Sequence, residues 1–361
     1  MHSLVLALML SSAVLAAEGN LNSSKNFLFN GRWEHNEGFC RTSAPAAMVQ
    51  FNAQAASLEF EIEGQARWRV DQDGKQIGLF ISGDKAKHKV KTAADGKPHL
   101  YRLIKISESN PGGVALYGIK SDAKGKFLDS PKQTNRRIEF IGDSFTVGYG
   151  VEGHVSDQED HVFETTNASK SYAFLLAEGY KADFQVNAFS GRGLVRNYDN
   201  IVPEWKIPRL YQYTVPGEAP VDVTKLAAPA DSAKLVWNFD GFHPQVIVMF
   251  LGINDFQGNP PYGDKNEFKK TYAEMLNMLR SAHPGVKFLL VSTKIWPNDD
   301  LTPTVKQVYD AEIAAGKKDV EFVTVQTVNE GLHGHPNEPS QKDLANTLRP
   351  IIGRLGGWMS R

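Results

Sequence analysis

The sequence predicts two domains in series, an all-β sandwich followed by an α/β domain built on a parallel sheet. Three observations carry this reading. Residues 26–119 read as short strands separated at regular spacing by turn signals. After Arg137 strands alternate with amphipathic helices, the rhythm of a parallel sheet with crossovers. The chain has 361 residues, 41% of them hydrophobic and 22% charged, which is globular composition at two-domain length.

Composition also excludes function classes. Forty basic and 41 acidic residues leave a formal net charge of −1, so no global positive field gathers nucleic acid or an anionic membrane. The single cysteine, Cys40, can form no intrachain disulfide and no thiolate zinc site; it reads as a small buried apolar residue.

Taken in order, the first element is an apolar run from Leu4 to Leu15, broken only by Ser11 and Ser12 and followed by Ala16 and Ala17. It reads as a signal peptide over residues 1–17, cleaved near Ala16 or Ala17, and is too short to span a membrane. A secreted or periplasmic bacterial protein is expected. The sandwich is expected over residues 24–120. Leu58, Phe60 and Ile62 alternate with Glu59, Glu61 and Glu63, giving one apolar and one charged face. Ala66–Val70, Ile77–Ile81, His99–Ile106 and Gly113–Ile119 are further strand candidates, divided by Asp73-Gly74, Gly83-Asp84 and Asp95-Gly96. Residues 121–137 are polar and read as a linker.

Residues 138–361 form the expected α/β domain. Ile138–Ile141, Phe184–Asn187, Val246–Leu251, Val286–Val291 and Val320–Val325 read as buried strands. Ser169–Gly179, Phe268–Ala282, Thr304–Ala315 and Gln341–Leu355 read as helices.

Chemistry gathers at the strand ends, where open α/β sheets hold their ligands. Ser144 follows the first strand, in Gly142-Asp143-Ser144. Gly191 lies just past the second, and Asn254 just past the third, in a Gly252-Ile253-Asn254-Asp255 run. His335, held by Pro336, lies in the loop before the last helix. A serine hydroxyl needs a base to attack, and a histidine is the usual one. Asp143 and Asp255 read as structural ties of strand ends.

These four ordered blocks resemble those of the GDSL/SGNH hydrolase superfamily. The wording around Gly142–Gly150, Ser190–Gly193, Trp237–Phe239, Leu251–Phe256 and Gly331–Asn337 looks like carbohydrate esterase family two, the acetyl xylan esterase type. That resemblance implies a three-layer α/β hydrolase domain preceded by a jelly-roll sandwich. It implies removal of O-acetyl groups from plant cell-wall polysaccharide or oligosaccharide through an acetyl-enzyme, by a monomer needing no cofactor and no metal. Mapped onto this chain, Ser144 is the nucleophile and His335 the base. Ser144 N–H, Gly191 N–H and the Asn254 amide form the oxyanion hole, with Gly193 a rival for Gly191.

The sequence departs from many relatives before the histidine, where His333 and Leu332 stand in place of an aspartate. A Ser–His dyad is therefore expected, its Nδ1–H held by a backbone carbonyl, since nothing aims Glu330 or Glu338 at His335. His333 is left to line the acetyl pocket. Trp296 and Tyr149 are expected sugar-contacting aromatics, and Trp237 lies near another rim. His154, Asp157, Glu159, Asp160, His161 and Glu164 read as a solvated loop rather than a metal site, because their spacing is irregular. Rival readings are an exported lipase or thioesterase of the same superfamily, and a silent carbohydrate-binding protein.

Overall fold

A computed structural model describes residues 18–22, 25–109, 113–158, 160–215 and 236–358. The expected signal peptide and Glu159 lie outside the described residues. Among them, no helix is long and apolar enough to cross a membrane.

The amino-terminal part is a sandwich of two antiparallel sheets. Its strands are β1 (Glu18–Gly19), β2 (Leu28–Asn30), β3 (Glu34–Asn36), β4 (Phe39–Thr42), β5 (Met48–Gln54) and β6 (Ser57–Glu63). They continue with β7 (Ala66–Gln72), β8 (Lys75–Ser82), β9 (Ala86–Lys91), β10 (His99–Lys105), β11 (Val114–Ser121) and β12 (Lys126–Phe127). One sheet runs β3-β4-β11-β6-β9, with β1 on β11; the other runs β12-β5-β10-β7-β8, with β2 on β5. Alternation explains the core: Leu58, Phe60 and Ile62 of β6 face Val49, Phe51 and Ala53 of β5 and the fully buried Trp68 of β7 in one apolar cluster. Cys40 is fully buried there, and burial pushes its thiol up to about 12. The stretch expected as a linker is partly built into the sandwich, because Phe127 packs on Phe27 and Phe51 and carries β12 onto the edge of β5.

The carboxyl-terminal part is a five-stranded parallel sheet ordered β14-β13-β15-β16-β17. These strands are β13 (Arg137–Gly142), β14 (Asp183–Ala188), β15 (Val246–Phe250), β16 (Lys287–Thr293) and β17 (Val320–Val325). Helix Tyr172–Tyr180 packs on Glu338–Leu355, and Lys265–Ala282 on Leu301–Ala314. Since β13 leads to β14 on one side of it and β15 to β16 and β17 on the other, crossovers of the usual right hand place the two helix pairs on opposite faces, which makes three layers. Helix Lys265–Ala282 shows why these segments fold so: Asp264 caps it through Asn266 N–H and Glu267 N–H, and Phe268, Tyr272, Met275, Leu276 and Leu279 bury one face. Strand order reverses at β13, so the crevice at its carboxyl end is the topological switch point.

The two parts are joined by buried polar contacts. Arg32, from the sandwich, is 2% exposed and reaches Glu139 of β13 at 3.2 Å, Gln185 of β14 at 3.2 Å and the carbonyl of Tyr211. Its guanidinium lies over the rings of Tyr211 and Trp237. Trp237 is thus placed beside Arg32, near the amino end of the sheet, rather than at the rim that carries Ser144. Arg67, also from the sandwich, donates to Thr166 O at 2.7 Å and pairs with Glu152 at 3.1 Å.

Candidate active site

Strand β13 runs straight into the one-turn helix Ser144–Val147, capped by Asp143, whose carboxylate accepts Phe145 N–H at 3.1 Å. The turn is tight: a Cβ on Gly142 would stand 2.0 Å from Thr146 Oγ1, so glycine is required. Ser144 opens the helix, and its own N–H has no intrahelical acceptor there.

His335 arrives from the loop between β17 and helix Glu338–Leu355. Its Nε2 lies 2.9 Å from Ser144 Oγ and its Nδ1 3.1 Å from the Leu332 carbonyl. A carbonyl only accepts, so it holds the proton on Nδ1 and leaves the Nε2 lone pair facing the hydroxyl. The Tyr149 ring covers the imidazole at 4.3 Å between centroids, and Phe145 meets it edge-on at 5.5 Å. Burial pushes His335 down to about 4, the Leu332 carbonyl opposing and His333 assisting. The imidazole is therefore neutral at pH 7. Glu338 pairs with Lys170 at 2.7 Å and Lys342 at 2.9 Å, and Glu330 accepts from Asn337 at 3.3 Å. Neither carboxylate bonds His335. His333 is held in the left-handed region, φ 53°, with its Nδ1 2.9 Å from the Tyr149 hydroxyl.

The remaining blocks converge on the same crevice. Asn254 is buried, and its Nδ2 donates to Arg192 O at 3.0 Å and to Asp143 Oδ2 at 3.3 Å. Gly191 sits at φ +73°, and its N–H meets no acceptor among the described residues. Gly193 N–H, by contrast, is taken by Asn197 Oδ1 at 3.2 Å. Asp255 gathers the N–H groups of Leu194, Val195 and Arg196 at 3.0, 2.7 and 3.0 Å. Burial raises Asp143 to about 7 and Asp255 to about 6. Both work as structural ties, one on the nucleophile turn and one on the Gly191 loop.

Sequence reasoning missed three supports. Gln341 takes Tyr172 N–H at 2.8 Å and gives its own amide to Phe145 O at 3.0 Å, fastening the last helix to the Ser144 turn. Asn197 donates to the carbonyls of Ile201 and Val202 at 2.9 and 2.8 Å. Glu108 reaches Ser190 from the other domain. No local pattern marks any of them. Trp296, just past β16, is 78% exposed. In the acidic loop, His154 and Asp157 bond within their own turn at 2.8 Å.

A hydroxyl beside a neutral, correctly tautomerised imidazole, with outward N–H groups nearby, is equipped to attack a carbonyl.

Known proteins resemble this chain in sequence and in fold. The GDSL-like lipase/acylhydrolase family profile matches residues 140–350. An acetylxylan esterase / glucomannan deacetylase of Cellvibrio japonicus is 30% identical over 310 residues, covering 82% of this chain and 80% of that protein. The cellulase/esterase CelE of Acetivibrio thermocellus is 29% identical over 92% of this chain, which spans only 40% of that longer protein. The structure of a family two carbohydrate esterase from Clostridium thermocellum with cellohexaose superposes with a TM-score of 0.82 at 26% identity, covering 92% of this chain and 100% of that one. The chain belongs to the GDSL-like lipase/acylhydrolase family and, within it, to the family two carbohydrate esterases.

Proposed function

We propose that this protein removes O-acetyl groups from cell-wall polysaccharide or oligosaccharide of the xylan or glucomannan type, as the names of its relatives state for them. The observation that carries the reading is the 2.9 Å approach of His335 Nε2 to Ser144 Oγ. Ser144 Oγ attacks the acetyl carbonyl as its proton passes to His335 Nε2. The oxyanion is held by the N–H groups of Ser144 and Gly191 and by the Asn254 amide, which gives up its longer bond, to Asp143, to do so. Nε2 then returns the proton to the departing sugar oxygen. Water repeats the sequence on the acetyl-Ser144, releasing acetate and restoring the hydroxyl. Among the described residues no carboxylate bonds His335, and the Leu332 carbonyl keeps the tautomer. The exposed indole of Trp296 is a platform for a sugar ring. The Leu4–Leu15 run supports export to the periplasm or exterior.

The test is acetate release from acetylated xylan and glucomannan by wild type and Ser144→Ala. Release abolished in the variant is expected. Turnover of long-chain but not acetyl esters would instead identify a lipase, and glycan binding without turnover a binding protein. Trp296→Ala is expected to raise KM for polysaccharide and leave 4-nitrophenyl acetate turnover unchanged.

A further inference from the structure

The loop carrying Gly191 is fixed from two directions. On its far side Asp255 and Asn197, both of the α/β domain, hold residues 193–196. On its near side Phe189 N–H bonds Gly142 O at 3.2 Å and Phe189 O accepts Arg192 N–H at 3.2 Å, and two further holds come from the sandwich. Strand β10 ends at Lys105, fully buried, whose ammonium donates to the carbonyls of Ser43 at 3.2 Å, Ser107 at 3.3 Å and Glu108. Three carbonyls gathered on one cation give the chain after β10 a defined course. That course delivers Ser109 Oγ to the carbonyl of Ala188 at 2.6 Å and the Glu108 carboxylate to the hydroxyl of Ser190. Glu108 thus touches the residue immediately before Gly191.

Gly191 lies in the left-handed region; its carbonyl accepts Tyr198 N–H at 2.9 Å, but its N–H, which belongs to the Ser190–Gly191 peptide, has no acceptor among the described residues. Its direction is inherited from the residues on either side. A donor misplaced by about 1 Å loses most of its transition-state contact.

We propose that Glu108 is a positioning residue of the esterase: by holding the Ser190 hydroxyl it aims the Gly191 N–H at the developing oxyanion. The sandwich then completes the active site rather than merely accompanying it. This rests on the esterase reading above. The hydrogen bond needs an acceptor at Glu108, not a charge, because Ser190 donates.

The experiment compares Glu108→Ala, Glu108→Gln, Ser190→Ala and the double alanine variant with wild type on 4-nitrophenyl acetate. Hydrogen exchange across residues 188–193 is followed alongside. Glu108→Ala and Ser190→Ala are each expected to lower kcat about 10- to 100-fold with KM within about threefold of wild type. The double variant is expected to lose no more than either single one, and Glu108→Gln to keep most of kcat. Exchange across 188–193 should quicken in both alanine variants. Should Glu108→Ala fail to fold, Ser190→Ala, which leaves the sandwich intact, decides the matter. Wild-type kcat in Ser190→Ala, a loss confined to KM, or an equal loss in Glu108→Gln and Glu108→Ala would overturn the proposal. Failure of the esterase reading looks different: wild type itself would not turn over acetyl esters, and the exchange measurement would still show whether Glu108 holds the loop, unchanged exchange refuting it.

Discussion

Strand β13 carries a buried polar centre at each end, and the two are built on opposite principles. Near its amino end, one oxygen of Glu139 is heavily engaged: Arg32, the Tyr211 hydroxyl at 2.8 Å and the Asn187 amide converge on Oε1, and both members of the ion pair are at most 2% exposed. At its carboxyl end Ser144 faces a neutral imidazole that no carboxylate among the described residues bonds, beside N–H groups of which the Gly191 one is left open. The first arrangement locks two domains together. The second keeps the Gly191 N–H unspent and the Asn254 amide on a long bond until a substrate carbonyl arrives. Even the lock is incomplete, since Glu139 Oε2 and His283 Nε2, 3.9 Å apart, find no hydrogen-bond partner among the described residues. Burial holds His283 down at about 4, so it stays neutral there. Stability and reactivity are thereby separated along one strand, and each end can be perturbed alone.

The largest effect is expected at the reactive end. His335→Ala should lower kcat/KM for acetyl esters about 10³-fold or more, with the circular dichroism spectrum unchanged. Arg32→Ala should do the reverse. Removing one partner of a buried pair leaves Glu139 without its counter-charge in a site where burial already raises its carboxyl, so a loss of about 3–5 kcal/mol in denaturant unfolding is expected. Turnover per folded molecule should hold.

The pH profile sharpens the contrast. His335 must be neutral to act as base. An ordinary imidazole protonates near 6.5, whereas burial holds this one at about 4. Lowering the pKa extends the neutral form toward acid, so kcat/KM should stay flat down to about pH 5 and fall below it. The same group works against folding in that range. The unfolded chain binds a proton near 6.5 and the folded one only near 4, so this residue's contribution to stability is lost as pH falls through that window. The smallest effect is expected from Tyr149→Phe, which keeps the ring over His335 but breaks the bond to His333. A loss of about 2- to 10-fold in kcat fits the worth of one partly exposed hydrogen bond.

Much of the fold was legible because its signals are local. The α/β strands and helices appear within a few residues of their expected bounds, and Val320–Val325 matches outright. The misses share a cause. Strand β5 alternates Val49, Phe51 and Ala53 with Gln50, Asn52 and Gln54, and asparagine and glutamine are poor strand signals. Strand β9, Ala86–Lys91, reads as solvated charge, yet lysines are what a sheet edge uses to repel other chains. Lysine is a residue type that signals exposure, yet Lys105 is fully buried, because three carbonyls from folded chain replace its water.

The order of strands and helices, the placing of Ser144, Gly191 and Asn254 at strand ends, and the missing aspartate before His335 were written in the sequence. Periodicity and turn chemistry act between near neighbours, so a linear text can display them. The closing of His335 on Ser144, the Arg32 lock and the reach of Glu108 across the domain boundary were decided only by tertiary structure. Directional hydrogen bonds depend on where a side chain points after folding, and residues 82 to 191 positions apart carry no local trace of one another.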